Sequence, residues 1–326
     1  MIRFLMAAIA YFLLAVGVVM LTRENGIATL VASWQGTLEL APVFGRIAGI
    51  LALLGVIITI LVRGRSMGAM IAAVVMAFIA TLFFQSGFML IKTSLPYVTP
   101  FHADVALAEW DNVLHGGHDP WVWTHAVAGY LPMEWLTPIY LHVWVFPAIC
   151  LPVIMAAIDV DKGRVMRTMI LYGIAWVLIG NIIALAGLSA GPVFYDRIYG
   201  GERFADLTAA MAATPEISSY FELIQDDLWM AYTTSEQAIG SGISAFPSVH
   251  VSVAMVGALY LWERSRLLGV IGAAFVAVIL FLSVYSGYHY ALDGYFSIAV
   301  IWGAWAFMSR RAAKEHAVPM PDGELA

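Results

Sequence analysis

Apolar runs of bilayer length dominate this chain and decide its fold class before any motif is read. Stretches at 2–22, 43–62, 68–91, 138–158, 166–189, 247–262, 266–286 and 288–308 carry very little charge. A run of about 20 apolar residues crosses a hydrocarbon core as a helix, because in lipid the backbone has to satisfy its own hydrogen bonds. The chain is 62% hydrophobic and 12% charged, against roughly 25% charged in a soluble domain. It therefore reads as an all-α polytopic integral membrane protein of about eight transmembrane helices. The first run is longer than the apolar core of a signal peptide and no small-x-small cleavage site follows it, so it is expected to remain as a span. Two N-terminal helices (1–67) precede a membrane core (68–310) with outer segments 92–137 and 190–246, and a cytoplasmic tail (311–326) follows. No internal repeat of the transporter type is evident.

Basic residues set the expected orientation. Alternating the spans places Arg3, Arg63, Arg65, Lys162, Arg164, Arg167, Arg264, Arg266, Arg310, Arg311 and Lys314 on one side. Arg23, Arg46, Lys92, Arg197 and Arg203 remain for the other. The positive-inside rule makes the first side cytoplasmic, so both termini lie inside and the two long segments face outward. A bacterial inner membrane or its equivalent fits this arrangement. No basic patch with interleaved aromatics points to nucleic acid. The single cysteine, Cys150, lies in an apolar run and suits packing.

Two polar joins between apolar runs carry the chemistry. In "SGISAFPSVHVSVAM" a proline, Ser248 and His250 stand where loop becomes helix. An ionisable group just inside a membrane segment is costly and by default marks function. In "LSVYSGYHYALDGYFS", His289 and Asp293 are four residues apart at the outer start of the last span. On a helix these positions share a face, so Asp293 would orient one ring nitrogen of His289 and leave the other free. Two histidines at one membrane depth, one backed by a carboxylate, suit phosphoryl transfer. His289 would be the nucleophile and His250 the general acid and base. Ser248 and free N–H groups at its helix start would hold the phosphoryl oxygens. The competing uses of the same residues are a hydrogen bond that pins two helices and a proton relay.

"FPSVH" followed by "SGYHYALD" resembles the second and third signature motifs of the type 2 phosphatidic acid phosphatase superfamily, usually Pro-Ser-Gly-His and Ser-Arg-x5-His-x3-Asp. The resemblance implies a six-helix core with His250 as general acid, His289 as nucleophile and Asp293 as its partner. No Lys-x6-Arg-Pro first motif is found, and Ser283 stands where the third motif has arginine. That pattern is more similar to the inositol phosphorylceramide synthase and sphingomyelin synthase branch. "GPVFYDR" and "DNVLHGGHDP" resemble elements of that branch, which brings in Arg197 as a bidentate phosphate contact and Asp111. Tyr195, Tyr285, Tyr288 and His142 are further candidates for a substrate pocket.

"HGGHD" invites a metal reading through His115, His118 and Asp119, but closed zinc sites need four well-placed ligands and this spacing is generic. No metal and no cofactor is expected. The function expected is a lipid phosphotransferase acting through a phosphohistidine, inositol phosphorylceramide synthase-like, with a lipid donor and an alcohol or water acceptor. A lipid phosphate or polyprenyl diphosphate phosphatase and a proton-coupled transporter are the alternatives.

Overall fold

The computed structural model describes residues 1–62, 66–234 and 242–317. Arg63 and Arg65, used above for orientation, and the last part of the tail lie outside them. The regular structure of the described residues is all helix, without a strand. Helices α1 (Ile2–Thr22), α2 (Gly26–Val62) and α3 (Met67–Val98) open the chain. The short helices α4 (Asp104–Leu114) and α5 (Pro120–Ala128) follow, then α6 (Met133–Ile158) and α7 (Lys162–Ala186). Next come α8 (Pro192–Tyr199), α9 (Ala205–Ala212) and α10 (Pro215–Thr233). The chain ends with α11 (Val249–Arg264), α12 (Arg266–Tyr285) and α13 (Ala291–Ala317).

Six of these, α1, α3, α6, α7, α12 and the Ala291–Ala312 part of α13, are long and apolar enough to cross a membrane. The other two runs expected to span fall in α2 and α11. The protein is an all-α integral membrane protein. Element ends differ from expectation in four informative places. α2 starts at Gly26 and runs for 37 residues, longer at about 1.5 Å per residue than a hydrocarbon core of about 30 Å. α3 continues past 91 to Val98, so Lys92 belongs to the helix and not to the outer segment. α13 begins at Ala291 and not at 288, which leaves His289 in the preceding turn. It also runs on to Ala317, so the chain after Arg310 continues as helix where a tail was expected.

Aromatic packing holds the middle of the bundle. Phe84 and Phe88 of α3 meet Tyr172 and Trp176 of α7, with Phe88 and Trp176 edge to face at 4.6 Å. Val249, Val253, Val256 and Tyr260 of α11 close the same cluster. In lipid no hydrophobic drive pulls helices together, so buried polar pairs matter more. Gln85 donates to Tyr172 Oη at 2.7 Å and to the Ala148 carbonyl at 3.1 Å, and Asn181 accepts from Tyr11. At the expected cytoplasmic end Glu263 of α11 takes a bidentate contact from Arg167 of α7 and the Trp305 indole N–H from α13. Arg164 pairs bidentately with Asp159 beside it. The opposite end carries α4, α5, α8, α9 and α10, all short or amphipathic, over the mouths of the long helices.

Candidate active site

Local turn chemistry brings the two histidines together. α11 starts directly after Pro247, with Ser248 as its N-cap: Ser248 Oγ accepts from the Val251 N–H at 3.3 Å. Cap geometry therefore fixes His250 on the first helical turn. At the other join, α12 stops at Tyr285 and the turn at 286–290 reverses the chain into α13. His289 stands in that turn, so the expected helix-face pairing is replaced by a turn-to-helix one. The contact itself forms: His289 Nδ1 lies 3.1 Å from Asp293 Oδ2, and the same oxygen accepts the Tyr290 N–H at 3.1 Å. The turn is tied to α11 because the Ser248 N–H donates to the Asp293 carbonyl at 3.2 Å.

With Nδ1–H donating to the carboxylate, Nε2 of His289 keeps its lone pair. Ser248 Oγ lies 3.3 Å from that nitrogen. His250 lies beside His289 in an edge-to-face arrangement, with ring centroids 6.0 Å apart. Its ring stacks on Tyr140 at 4.8 Å and on Trp144 at 4.1 Å, both from α6. The Trp144 indole N–H also donates to the His250 carbonyl at 2.9 Å. Around Tyr140 and Trp144 the α6 backbone widens into π-helical turns at Ile139–Val143 and Phe146–Cys150, between prolines 138 and 152. Such turns recur at functional sites.

Both histidines border a cavity of about 220 Å³, walled by Lys92, Tyr140, Trp144, His250, Tyr288 and His289 among others. Of the expected pocket residues, Tyr288 alone lines it. Ser248 is fully buried, engaged as cap and as partner of Nε2, and is not among the residues that line the cavity. Arg197 is not brought to the cavity: it is exposed, 3.4 Å from Asp226 and over the Trp229 ring. Tyr195 packs against Tyr199 and Phe204, and Tyr285 stacks on His125 at 4.3 Å. His142 is exposed on α6.

Asp111 is a brace for the site and not part of its wall. Its two carboxylate oxygens accept the Ala291 and Leu292 N–H groups at 2.9 and 3.1 Å, which are otherwise orphan donors at the start of α13. Asp104, at the start of the same helix, accepts the Ala190 and Gly191 N–H groups at 2.8 Å and the Tyr290 Oη–H at 3.0 Å. Burial pushes both carboxyls above their ordinary range, against the pull of those donors. Gly191 needs to be glycine: its φ is +90°, and a Cβ there would collide with the Tyr288 carbonyl.

The "HGGHD" residues serve the outer layer. His115 contacts the Asp111 carbonyl and Tyr295 Oη at 2.6 and 3.1 Å. Asp119 takes both guanidinium nitrogens of Arg203 at 2.5 and 2.7 Å. Among the described residues no group of three His, Cys, Asp or Glu side chains gathers as a metal site. Sequence reasoning passed over Lys92, Tyr140 and Asp104. For Lys92 the missed signal was the continuation "KTSLPYV" of α3, read as the start of a loop.

The model of one family, described as the PAP2 superfamily, matches residues 105–307. No curated protein and no solved structure gives a match.

Proposed function

The chain belongs to the PAP2 superfamily, and from that premise we propose that it transfers a phosphoryl-type group from a lipid phosphate ester to an alcohol through a phosphohistidine on His289. Membership supports lipid phosphatase or phosphotransferase chemistry in general. The observation that carries the finer reading is the Ser248–His289–Asp293 relay whose histidine shares one cavity wall with His250.

Nε2 of His289 attacks phosphorus, and the P–O bond to the leaving group breaks. Protonated His250 delivers its proton to the departing oxygen, so no free alkoxide forms. The Ser248 hydroxyl, which holds Nε2 in the resting site, gives way as the N–P bond forms. Asp293 keeps Nδ1 protonated and stabilises the positive ring that results. His250, now neutral, takes the proton of the acceptor hydroxyl, whose oxygen attacks phosphorus and breaks the N–P bond. Both histidines return to their starting states.

Transfer is favoured over hydrolysis by the walls. Leu141, Val145, Ile224, Leu228 and Ile243 line the cavity, a surface that suits a lipid and holds water poorly. An inositol phosphorylceramide synthase-like reaction on the outer face of the membrane, with both termini inside, is the corresponding proposal for substrate class and sidedness. The test is to incubate purified protein with lipid phosphodiesters and phosphomonoesters labelled at phosphorus, with and without a long-chain alcohol. Label should appear transiently on His289 and then on the added alcohol, as a new phosphodiester from a diester donor and a new phosphomonoester from a monoester donor. Free phosphate as the sole product would make the protein a phosphatase, and no labelled protein intermediate under any condition would end the phosphohistidine reading.

A further inference from the structure

We infer that the end of the protein opposite the histidines holds a binding site for an anionic glycerophospholipid, separate from the substrate cavity. A cavity of about 740 Å³ opens there between the first turns of α1 and the facing parts of α3, α6 and α7. Its lining changes character with depth. Arg3, Asp159 and Lys162 stand at element ends around the mouth, whereas Ala7, Met76, Met155 and Met169 lie further along the helices. On α7 the step from Lys162 to Met169 is about 10 Å at about 1.5 Å per residue. Charge at the mouth and apolar side chains one or two turns in match the polarity of a phospholipid, headgroup outward and chains inward. The two cavities share no residue, so this lipid is not the one the histidines act on.

Charge and surface choose the occupant. Among the described residues Asp159 is the one carboxylate in the lining, and its charge is already met. Its side chain is fully buried, takes the Arg164 guanidinium bidentately at 2.7 Å and has Arg264 at 3.5 Å. Arg3 and Lys162 are exposed and form no ion pair among the described residues. The mouth is therefore cationic, and basic pockets between membrane helices take anionic headgroups. Ile2, Met166 and Ile170 of the same lining are exposed. On membrane-crossing helices such side chains face hydrocarbon, so what enters the cavity comes from the bilayer. The methionines supply a lining that adapts to a flexible acyl chain. A zwitterionic lipid brings its own cation to the same mouth and gains less there. With its phosphate between Arg3 and Lys162, the anionic lipid ties α1 to the start of α7.

The experiment mixes the full chain, purified in detergent and washed free of lipid, with phosphatidylglycerol or with phosphatidylcholine of the same chains. Native mass spectrometry reads the lipid retained, and a diazirine on one chain marks where it sits. Phosphatidylglycerol should be held by the parent and crosslink to the peptides that carry Met155, Met166 and Met169. The double variant Arg3→Gln, Lys162→Gln should bind it about tenfold more weakly or worse, on the scale of two basic residues lost beside an anionic headgroup. Both side chains are exposed, so the change spares the core. Arg3→Lys should keep most of the binding. Arg266→Gln, which removes an exposed cation outside the lining, should bind as the parent does. Phosphatidylcholine retained and crosslinked there equally well overturns the site, and so does a double variant that holds phosphatidylglycerol as tightly as its parent. Crosslinks confined to the histidine end overturn it too, since the lipid would then be occupying the substrate cavity.

Discussion

His250 and His289 differ in what surrounds them, and that difference predicts how each fails. His289 has a carboxylate on Nδ1 and a hydroxyl at Nε2, whereas His250 has only aromatic faces and the cavity. With a natural alkoxide leaving group both His250→Ala and His289→Ala should lose activity by about a hundredfold or more, the usual scale of general acid–base catalysis or above it. A nitrophenyl phosphoester leaves without needing a proton. On that substrate His250→Ala should still give a burst and an acid-labile phosphoenzyme, then turn over slowly for want of a base. His289→Ala should give neither. Label trapped on His250 would exchange the two roles. Both histidines and Asp293 were legible because their types are rare in apolar sequence and their spacing is local. Tyr140 and Trp144 were not, because a long-range stack on His250 leaves no mark that separates them from interfacial aromatics. The Arg197 expectation came from the resemblance, and the fold turns that side chain toward Asp226 on the surface.

At the scale of elements, the site depends on helix starts that are capped from elsewhere in the chain. α13 begins with Asp293 in its first turn, and its orphan N–H groups at Ala291 and Leu292 are met by Asp111 of α4. Removing that brace leaves two donors in a buried place, where an unmet group costs about 1–3 kcal/mol. Asp111→Ala should therefore lower the thermal midpoint in detergent and reduce kcat by letting His289 and Asp293 drift. Asp111→Asn, which still presents one acceptor oxygen, should recover part of both. An Asp111→Ala variant as stable as its parent but with altered substrate preference would return Asp111 to the substrate pocket, where its likeness to a family element first put it. Strong apolar runs located the long helices well. Their ends were harder, since hydropathy falls before the helix does: α3 carries Lys92 and Pro96 inside its final turns, and α13 extends over Arg310 and Arg311.

For the whole molecule the arrangement is polarised. Glu263, Arg167, Arg164 and Asp159 tie the helices at one end, and the histidines, the cavity and the short helices α4, α5, α8, α9 and α10 occupy the other. In the alternating-span assignment the basic residues divide eleven to five, and the positive-inside rule then predicts a cavity that faces outward. Composition made the membrane class readable and leaves the orientation as a prediction, whereas the way α4 reaches under α13 was not readable, because a single aspartate bridging 180 positions leaves no periodic trace. Orientation can be measured directly in a Cys150→Ala background. Glu202 and Val160 are both exposed and lie at opposite ends, the first between α8 and α9, the second between α6 and α7. In intact cells a membrane-impermeant maleimide should label Glu202→Cys and spare Val160→Cys, and disruption of the membrane should make the second reactive. The inverse pattern would turn the cavity toward the cytoplasm. Donor and acceptor lipids would then have to come from the inner leaflet, since a buried phosphate site can draw only on the leaflet its mouth faces.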